Sequence, residues 1–266
     1  MSEYHPIKLF SYAKTKPNEK LFELCILLDS SVVSTDKVMK LLSEAKVNVI
    51  NASIFNEKDE NDSTSTVFSA FIKTSKTKIS RRKLKMNLLE IKGVKNVIIR
   101  EPKPAPFETF HFPVMYGDSR AIIMPIVVFQ ALWDGFEKIL TDSGMAVLLY
   151  NSGKQTGVML ANCMKQMFKL EGKDVIRAMA QALRNMGWGV LKIKKINVEY
   201  SYALLTMEES FEAMAWKRRP YPVCHWTRGF LAGAMTIQFK KKVEATETKC
   251  IAKGDEKCEF EISPNI

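Results

Sequence analysis

The stretch VCHWTRGFLAGAMTIQFKKKVEATETKCIAKGDEKCEF, residues 223–260, decides the fold of the C-terminal half, because it holds three of the chain's five cysteines. These thiols can pack as small apolar side chains, react as nucleophiles or hold a metal ion. An odd number of cysteines without a secretory context argues against a disulfide framework and leaves these three uses open. The functional prediction depends mainly on which of them applies.

Two of the cysteines flank a predicted chain reversal. Cys250 and Cys258 enclose IAKGDEK, with Gly254 at its midpoint, so a hairpin there places them opposite each other with Cβ atoms about 5 Å apart. That separation lets both sulfurs bind one tetrahedral zinc ion. Glu247 lies three residues before Cys250 and has the opposite strand parity, so it reaches the same face only if a bulge or a strand end intervenes.

Cys224 supplies a third sulfur. It precedes a helix predicted for residues 226–238, and the return through KKKVEA brings the chain back beside the hairpin. Together with Glu247, the three sulfurs form a four-ligand shell that leaves no position for substrate, which is typical of structural zinc. A metal-free, packed hairpin is the alternative.

These residues resemble a known family. Cys224, RGFLAG at 228–233, Glu247, Cys250 and the segment 254–260 are similar to the 4-vinyl-reductase domain, also called the hydrocarbon-binding domain, which shares its fold with TRAPP vesicle-tethering subunits. The intervals of 23, 3 and 8 residues are similar to those of the zinc site in phenol-sensing bacterial regulators that carry this domain. The resemblance covers roughly residues 114–263. It implies that zinc is bound by Cys224, Glu247, Cys250 and Cys258.

The same resemblance implies an apolar ligand pocket. Domains of this family are α/β structures, with an antiparallel sheet and helices, that enclose a small-molecule site, are often dimeric and are usually coupled to an effector module. Ligand sites are mostly apolar and aromatic, so aromatic side chains are the candidates to line it. They are Trp188, Trp216, Trp226 and Phe230. Packing in the core is the alternative for each of them.

The first 100 residues predict a separate domain. The strand LFELCILL at 21–28 is followed by a helix, two strands at 47–55 and 66–73, a second helix beginning at Ser80 and the strand VKNVIIR. The order β-α-β-β-α-β is that of a ferredoxin-like fold. In length and order it resembles an ACT-type regulatory domain, and a dimerisation module without ligand is the alternative.

A proline-rich segment predicts the linker. Four prolines within residues 101–113 exclude a helix there, so the second domain is expected at 114–266. In that domain we expect a helix over 121–139 that starts near Pro125, a buried strand at 145–150, and helices at 154–170 and 173–186. A strand over 189–205 and a C-terminal hairpin are expected to follow.

Other motifs point away from catalysis. YNSGKQTG at 150–157 departs from a phosphate-binding loop, and its two glycines, one helical turn apart, indicate close helix packing instead. Only three histidines are present, and none lies in a nucleophile-elbow or metalloprotease pattern. We therefore expect a protein that is not an enzyme. With no signal peptide and no membrane-spanning run, we expect it in the cytoplasm.

The leading hypothesis is a ligand-responsive regulatory protein that binds an apolar or aromatic molecule and acts as a homodimer or through a partner. The net charge of +11 leaves an alternative, a nucleic-acid-associated transcriptional regulator. Its contacts would come from the basic segment Lys73–Lys85, through Lys78, Arg81, Arg82 and Lys85. A third class is an enzyme or assembly factor of the tetrapyrrole-reductase type, which would bind a pigment or flavin.

Overall fold

The structure is a computed structural model. It describes residues 20–29, 31–32, 35–58, 64–74, 79–103, 105, 107, 110–111, 113–116, 119–216 and 218–264. The chain divides into two compact units, Met1–Ile122 and Ile123–Ile266. The assignment of 101–113 as a linker, with domains at 1–100 and 114–266, stays a prediction.

The N-terminal unit contains the expected β-α-β-β-α-β order. Its elements are β1 (Leu21–Asp29), α1 (Thr35–Glu44), β2 (Asn48–Lys58), β3 (Thr64–Lys73), α2 (Arg81–Leu89), β4 (Val94–Arg100) and a small hairpin of β5 (Val114–Tyr116) and β6 (Ser119–Ala121). The four longer strands form an antiparallel sheet in the order β2-β3-β1-β4. This is the ferredoxin-like arrangement, and the predicted fold is confirmed.

Alternation along β1 explains how this unit packs. Leu24, Ile26 and Leu28 are fully buried and share a core with apolar side chains of α1 and α2, as the two-residue period of a strand requires. On the other face Glu23 is buried and accepts a hydrogen bond from Arg100, with 2.7 Å between Nε and Oε2. The sheet is therefore covered on one face by the two helices and carries an ion pair on the other.

The C-terminal unit combines helices with a second antiparallel sheet. Its elements are α3 (Ile126–Phe136), α4 (Asp142–Phe168), α5 (Lys173–Asn185), β7 (Val190–Asn197), β8 (Tyr202–Glu208), α6 (Phe211–Ala215), α7 (His225–Phe239), β9 (Glu244–Lys249), a 3₁₀ turn (Ile251–Lys253) and β10 (Cys258–Ser263). The strand order is β7-β8-β10-β9. The expected α/β domain is confirmed, although the single strand predicted over 189–205 is a hairpin of β7 and β8.

One sequence expectation is wrong: residues 145–150 form part of α4 and not a strand. Thr141 caps this helix by accepting a hydrogen bond from the backbone N–H of Gly144. Its buried residues recur at helical spacing, which an apolar run of six residues does not reveal by itself. They are Met145, Leu149, Gly153, Gly157, Ala161 and Met164.

Four glycines let α4 and α7 cross in backbone contact. A Cβ on Gly157 would lie 2.0 Å from the carbonyl oxygen of Phe230, and one on Gly229 would lie 2.0 Å from that of Tyr150. Gly153 and Gly233 meet the facing backbone in the same way. The interpretation of the 150–157 glycines as a packing motif is confirmed, and the crossing fixes where α7 begins.

None of the helices in the described part of the chain combines the length and the apolar character that crossing a membrane requires.

Candidate metal centre

Three thiols and one carboxylate meet in the interior of the C-terminal unit. The sulfur of Cys224 lies 3.9 Å from that of Cys250 and 3.7 Å from that of Cys258. The ligand atoms of these cysteines and of Glu247 all lie within 4.8 Å of one another. The cysteines are fully buried and Glu247 is 7% exposed. The structure thus brings together the four residues whose spacing was singled out in the sequence.

An irregularity in β9 aims Glu247 at the thiols. The register between β9 and β10 shifts between Glu259 and Phe260: Lys249 pairs with the first and Glu247 with the second, so Thr248 is an extra residue. Glu247 is consequently buried, whereas Thr248 and Lys249 both point outward. This is the bulge that the parity argument required.

The predicted opposition of Cys250 and Cys258 across a hairpin is wrong. Cys258 pairs with Met207 of β8, and Cys250 follows the end of β9. A 3₁₀ turn joins them, and the backbone N–H of Ile251 donates to the Cys258 sulfur at 3.4 Å. The turn folds the chain more tightly than a regular ladder does, and it brings the sulfurs together without direct strand pairing.

Glu247 has one oxygen committed and one free for an ion. Its Oε2 accepts the backbone N–H of Cys224 at 2.8 Å. Its Oε1 is buried and has no hydrogen-bond partner among the described residues. A buried carboxylate oxygen without a partner is costly, and a cation at the centre of the cluster would compensate it.

The cluster holds little negative charge by itself. Burial raises the pKa of the Glu247 carboxyl to about 8 and raises the pKa of the Cys224 thiol well above its ordinary value. Hydrogen bonds from Cys224 and Cys258 lower the pKa of Cys250. One thiolate therefore dominates in the absence of metal, whereas a divalent cation would favour the charged form of every ligand.

The distances fit tetrahedral zinc. Four ligands about 2.3 Å from an ion, at tetrahedral angles, have sulfurs about 3.8 Å apart, close to the 3.7 and 3.9 Å found here. Three cysteines and one carboxylate, all buried, match the soft ligand set of closed structural sites. The residues present therefore fit a structural metal ion.

Comparison with known proteins identifies the domain that holds this cluster. Residues 204–264 match the 4-vinyl-reductase domain. The C-terminal unit carries this domain. The match includes all four clustered residues and the elements from β8 to β10. The resemblance to 4-vinyl-reductase domains is thereby confirmed, while the resemblance of the N-terminal unit to ACT domains stays a prediction.

Relatives and solved structures extend the similarity over the C-terminal half. Two uncharacterized proteins of Methanocaldococcus jannaschii are each 28% identical to the chain, over 138 residues (52% of this chain and 75% of the relative) and over 149 residues (54% and 82%). Among solved structures, the phenol-responsive sensory domain of the transcription activator PoxR, with phenol, aligns with 20% identity and a TM-score of 0.49, covering 56% of this chain and 79% of that one. A vinyl-4-reductase family protein from Methanocaldococcus jannaschii aligns with 22% identity and a TM-score of 0.39, covering 56% and 86%. A trafficking protein particle complex subunit 3 from Naegleria fowleri, covalently bound to palmitic acid, aligns with 13% identity and a TM-score of 0.39, covering 53% and 93%.

The C-terminal unit also gathers the aromatic side chains singled out as ligand candidates. The ring of Trp226 lies 4.9 Å from that of Trp188 and 5.3 Å from that of Phe230. Trp216 lies instead beside Trp133 of α3, with ring centroids 6.3 Å apart. These rings pack against protein atoms in the two hydrophobic clusters of the unit, and their contact with a ligand stays a prediction.

Sequence reasoning missed Trp133. It is 6% exposed, and its indole N–H, like that of Trp216, is buried without a hydrogen-bond partner among the described residues. The available signal was the spacing of Phe129, Trp133 and Phe136, which puts three aromatic side chains on one face of α3. An open cavity of about 320 Å³ lies elsewhere, and none of the candidate aromatic residues lines it.

Three of the four residues proposed for nucleic-acid contact lie on one helix. Arg81, Arg82 and Lys85 belong to α2, which Ser80 caps. Arg81 is 3.9 Å from Glu101, and its guanidinium lies over the ring of Phe22. Lys78 lies outside the described residues. The nucleic-acid role stays a prediction.

Proposed function

We propose that the protein is a small-molecule-responsive regulator in the cytoplasm, whose 4-vinyl-reductase domain binds an apolar or aromatic ligand and carries a structural zinc ion. In this proposal the chain performs no catalysis. Ligand binding changes how two copies of the chain, or the chain and a partner, associate. The resemblance to hydrocarbon-binding domains, which implies both a ligand of this class and frequent dimerisation, supports it.

The zinc part of the proposal is supported by the ligand geometry. Cys224, Glu247, Cys250 and Cys258 would hold the ion, and its role would be to fix the turn between β9 and β10 against the start of α7. A closed shell supplies folding energy and no reactive position.

The observation that carries the ligand part is the pair of unpaired indole N–H groups. Trp133 and Trp216 each bury a donor without a partner among the described residues, inside one aromatic cluster. Such donors are rare in folded proteins, because each loses its hydrogen bonds to water. A ligand with an apolar body and an oxygen acceptor would satisfy them and would be held between the rings.

Titration with phenol tests this part, because phenol has an aromatic body and one oxygen that can accept a hydrogen bond. We expect a saturable change in tryptophan fluorescence. Trp133→Phe and Trp216→Phe keep an aromatic ring but remove the donor, so each is expected to weaken binding about five-fold, the value of one hydrogen bond. Trp188→Phe is the control and is expected to leave the affinity unchanged. No saturable response up to millimolar phenol, or equal effects in all three variants, would refute the ligand part.

Native mass spectrometry of freshly purified protein tests the zinc and the association. We expect one zinc ion per chain and a dimer, and we expect zinc to be absent from Cys258→Ser. A metal-free wild-type protein whose reduced form takes up neither Zn²⁺ nor Co²⁺ would overturn the zinc part. A monomer at all concentrations, with and without phenol, would count against association between copies.

A further inference from the structure

Helix α7 begins without a cap of its own. Its N-cap residue is Cys224, whose side chain makes no capping hydrogen bond. The first N–H groups of a helix have no partner within the helix, and serine, threonine, asparagine or aspartate usually accepts one of them. Here the N-cap side chain is a thiol directed at two other sulfurs, so the N–H groups must be satisfied from outside the helix.

Glu212 of α6 supplies that cap. Its Oε1 accepts the backbone N–H of Trp226 at 2.8 Å, and its Oε2 accepts that of Thr227 at 2.8 Å. The carboxyl is fully buried, so without these donors it would be costly to keep in the interior. Glu247 accepts the N–H of Cys224. Two glutamates from different elements therefore hold three N–H groups at the start of α7.

Glu212 is itself held in place. Ser210 caps α6 by accepting the backbone N–H of Ala213, and its hydroxyl oxygen lies 3.6 Å from the sulfur of Cys224. The short helix is thus tied at one end to the thiol and through its glutamate to the first turn of α7. A displacement of this turn would move the Cα of Cys224 and with it the sulfur.

We propose that Glu212 is a positioning residue for the thiolate-ligated metal centre: by holding the N–H groups of Trp226 and Thr227 it places the sulfur of Cys224 at ligand distance. It touches no metal ligand atom and acts through the backbone. This inference rests on the proposed zinc site and adds to it a residue outside the set of four. Partners of this kind fix the orientation of a ligand and contribute to metal affinity.

The test is a Co²⁺ titration of the reduced, metal-free full-length chain, followed by its thiolate charge-transfer absorption. Glu212→Gln has nearly the same size but replaces one acceptor oxygen by an NH₂ group that faces an N–H donor. We expect the Co²⁺ dissociation constant to rise about 10- to 100-fold. Met179→Ala, a substitution in the same core that removes none of the hydrogen bonds at the cluster, is the matched control. Its affinity is expected to stay within about three-fold of wild type.

A second readout separates positioning from general destabilisation. The metal-loaded proteins are treated with iodoacetamide, and the modified cysteines are mapped by mass spectrometry. If Glu212 positions Cys224, that cysteine is alkylated first in Glu212→Gln, ahead of Cys250 and Cys258. Equal reactivity of the three, or an unchanged Co²⁺ affinity, would overturn the inference.

The remaining outcomes are also assigned. If Glu212→Gln does not fold, Glu212→Asp, which keeps both acceptor oxygens on a shorter side chain, takes its place with the same expectation at smaller size. A wild-type chain that binds neither Co²⁺ nor Zn²⁺ refutes the proposed zinc site and this inference with it. A wild-type chain that binds while Glu212→Gln binds equally well refutes the inference alone.

Discussion

Replacing Gly157 by alanine is expected to destabilise the C-terminal unit, because the new methyl group has no room at the crossing of α4 and α7. Its Cβ would lie 2.0 Å from the carbonyl oxygen and 2.8 Å from the carbonyl carbon of Phe230. Both atoms belong to the backbone, so no side chain can turn away. To bring the closer contact to 3.0 Å the helices must separate by about 1 Å at this point, which loosens the packing on both sides.

The net effect follows from two opposing contributions. Overpacking in a close-packed core costs typically about 1–3 kcal/mol, and a contact between two backbones belongs at the upper end. Alanine recovers about 1 kcal/mol relative to glycine within a helix. We therefore expect a loss of about 2 kcal/mol, which lowers the melting temperature by about 4–8 °C for a unit of this size.

Tryptophan fluorescence is the suitable assay, because all four tryptophans of the chain lie beyond residue 122 and report on the C-terminal unit alone. Gly135→Ala in α3 is the matched control, since nothing lies within 4 Å of a Cβ added there. It is expected to stabilise by about 0.5–1 kcal/mol. Midpoints that move equally and in the same direction for Gly157→Ala and Gly135→Ala would refute the reasoning.

Three further changes have defined outcomes. Removing metal with a chelator is expected to lower the fluorescence-detected melting temperature, by about 4 kcal/mol in stability if free metal had been at about 1,000 times its dissociation constant, and an unchanged transition would contradict this. Ser80→Ala removes the side chain that accepts the N–H of Lys83, so it is expected to speed hydrogen exchange in the first turn of α2 and to cost about 1 kcal/mol, whereas Ser80→Asp keeps the cap. Arg100→Met removes the guanidinium beside the buried Glu23 and is expected to cost about 2 kcal/mol, less than a fully buried pair because Arg100 is 43% exposed; hydrogen exchange along β1 measures it, and a change no larger than that of Lys103→Met, in an exposed pair, would show the ion pair to be unimportant.

Strand alternation made the N-terminal fold predictable. Each strand there has one face against the helices, so burial follows a two-residue period that is visible in the sequence. The helix around residues 145–150 was not predictable in the same way. It is apolar on several faces, because α7 covers one side and α3 packs near its beginning, and a short run of this kind fits a buried strand equally well.

The cysteine cluster shows the same limit. Residue types and intervals indicated that four side chains would converge, because soft ligands at such spacing are otherwise unusual. They did not indicate how, and the regular hairpin that we expected is a 3₁₀ turn after a bulge. Glu212 was not predictable at all. Its contacts to α7 depend on tertiary packing between residues that lie 14 and 15 positions apart, and no local pattern marks an acceptor of this kind.

The bulge at Thr248 has a consequence for aggregation. β9 is an outer strand of its sheet, and an outer strand with a regular ladder is a template onto which another molecule can add its own. The extra residue interrupts the row of free backbone groups, and the outward Lys249 adds a charge in the same place. The distortion that turns a carboxylate toward the sulfurs thereby also discourages intermolecular β-pairing, so a variant with a smooth outer strand would be more prone to form fibrils.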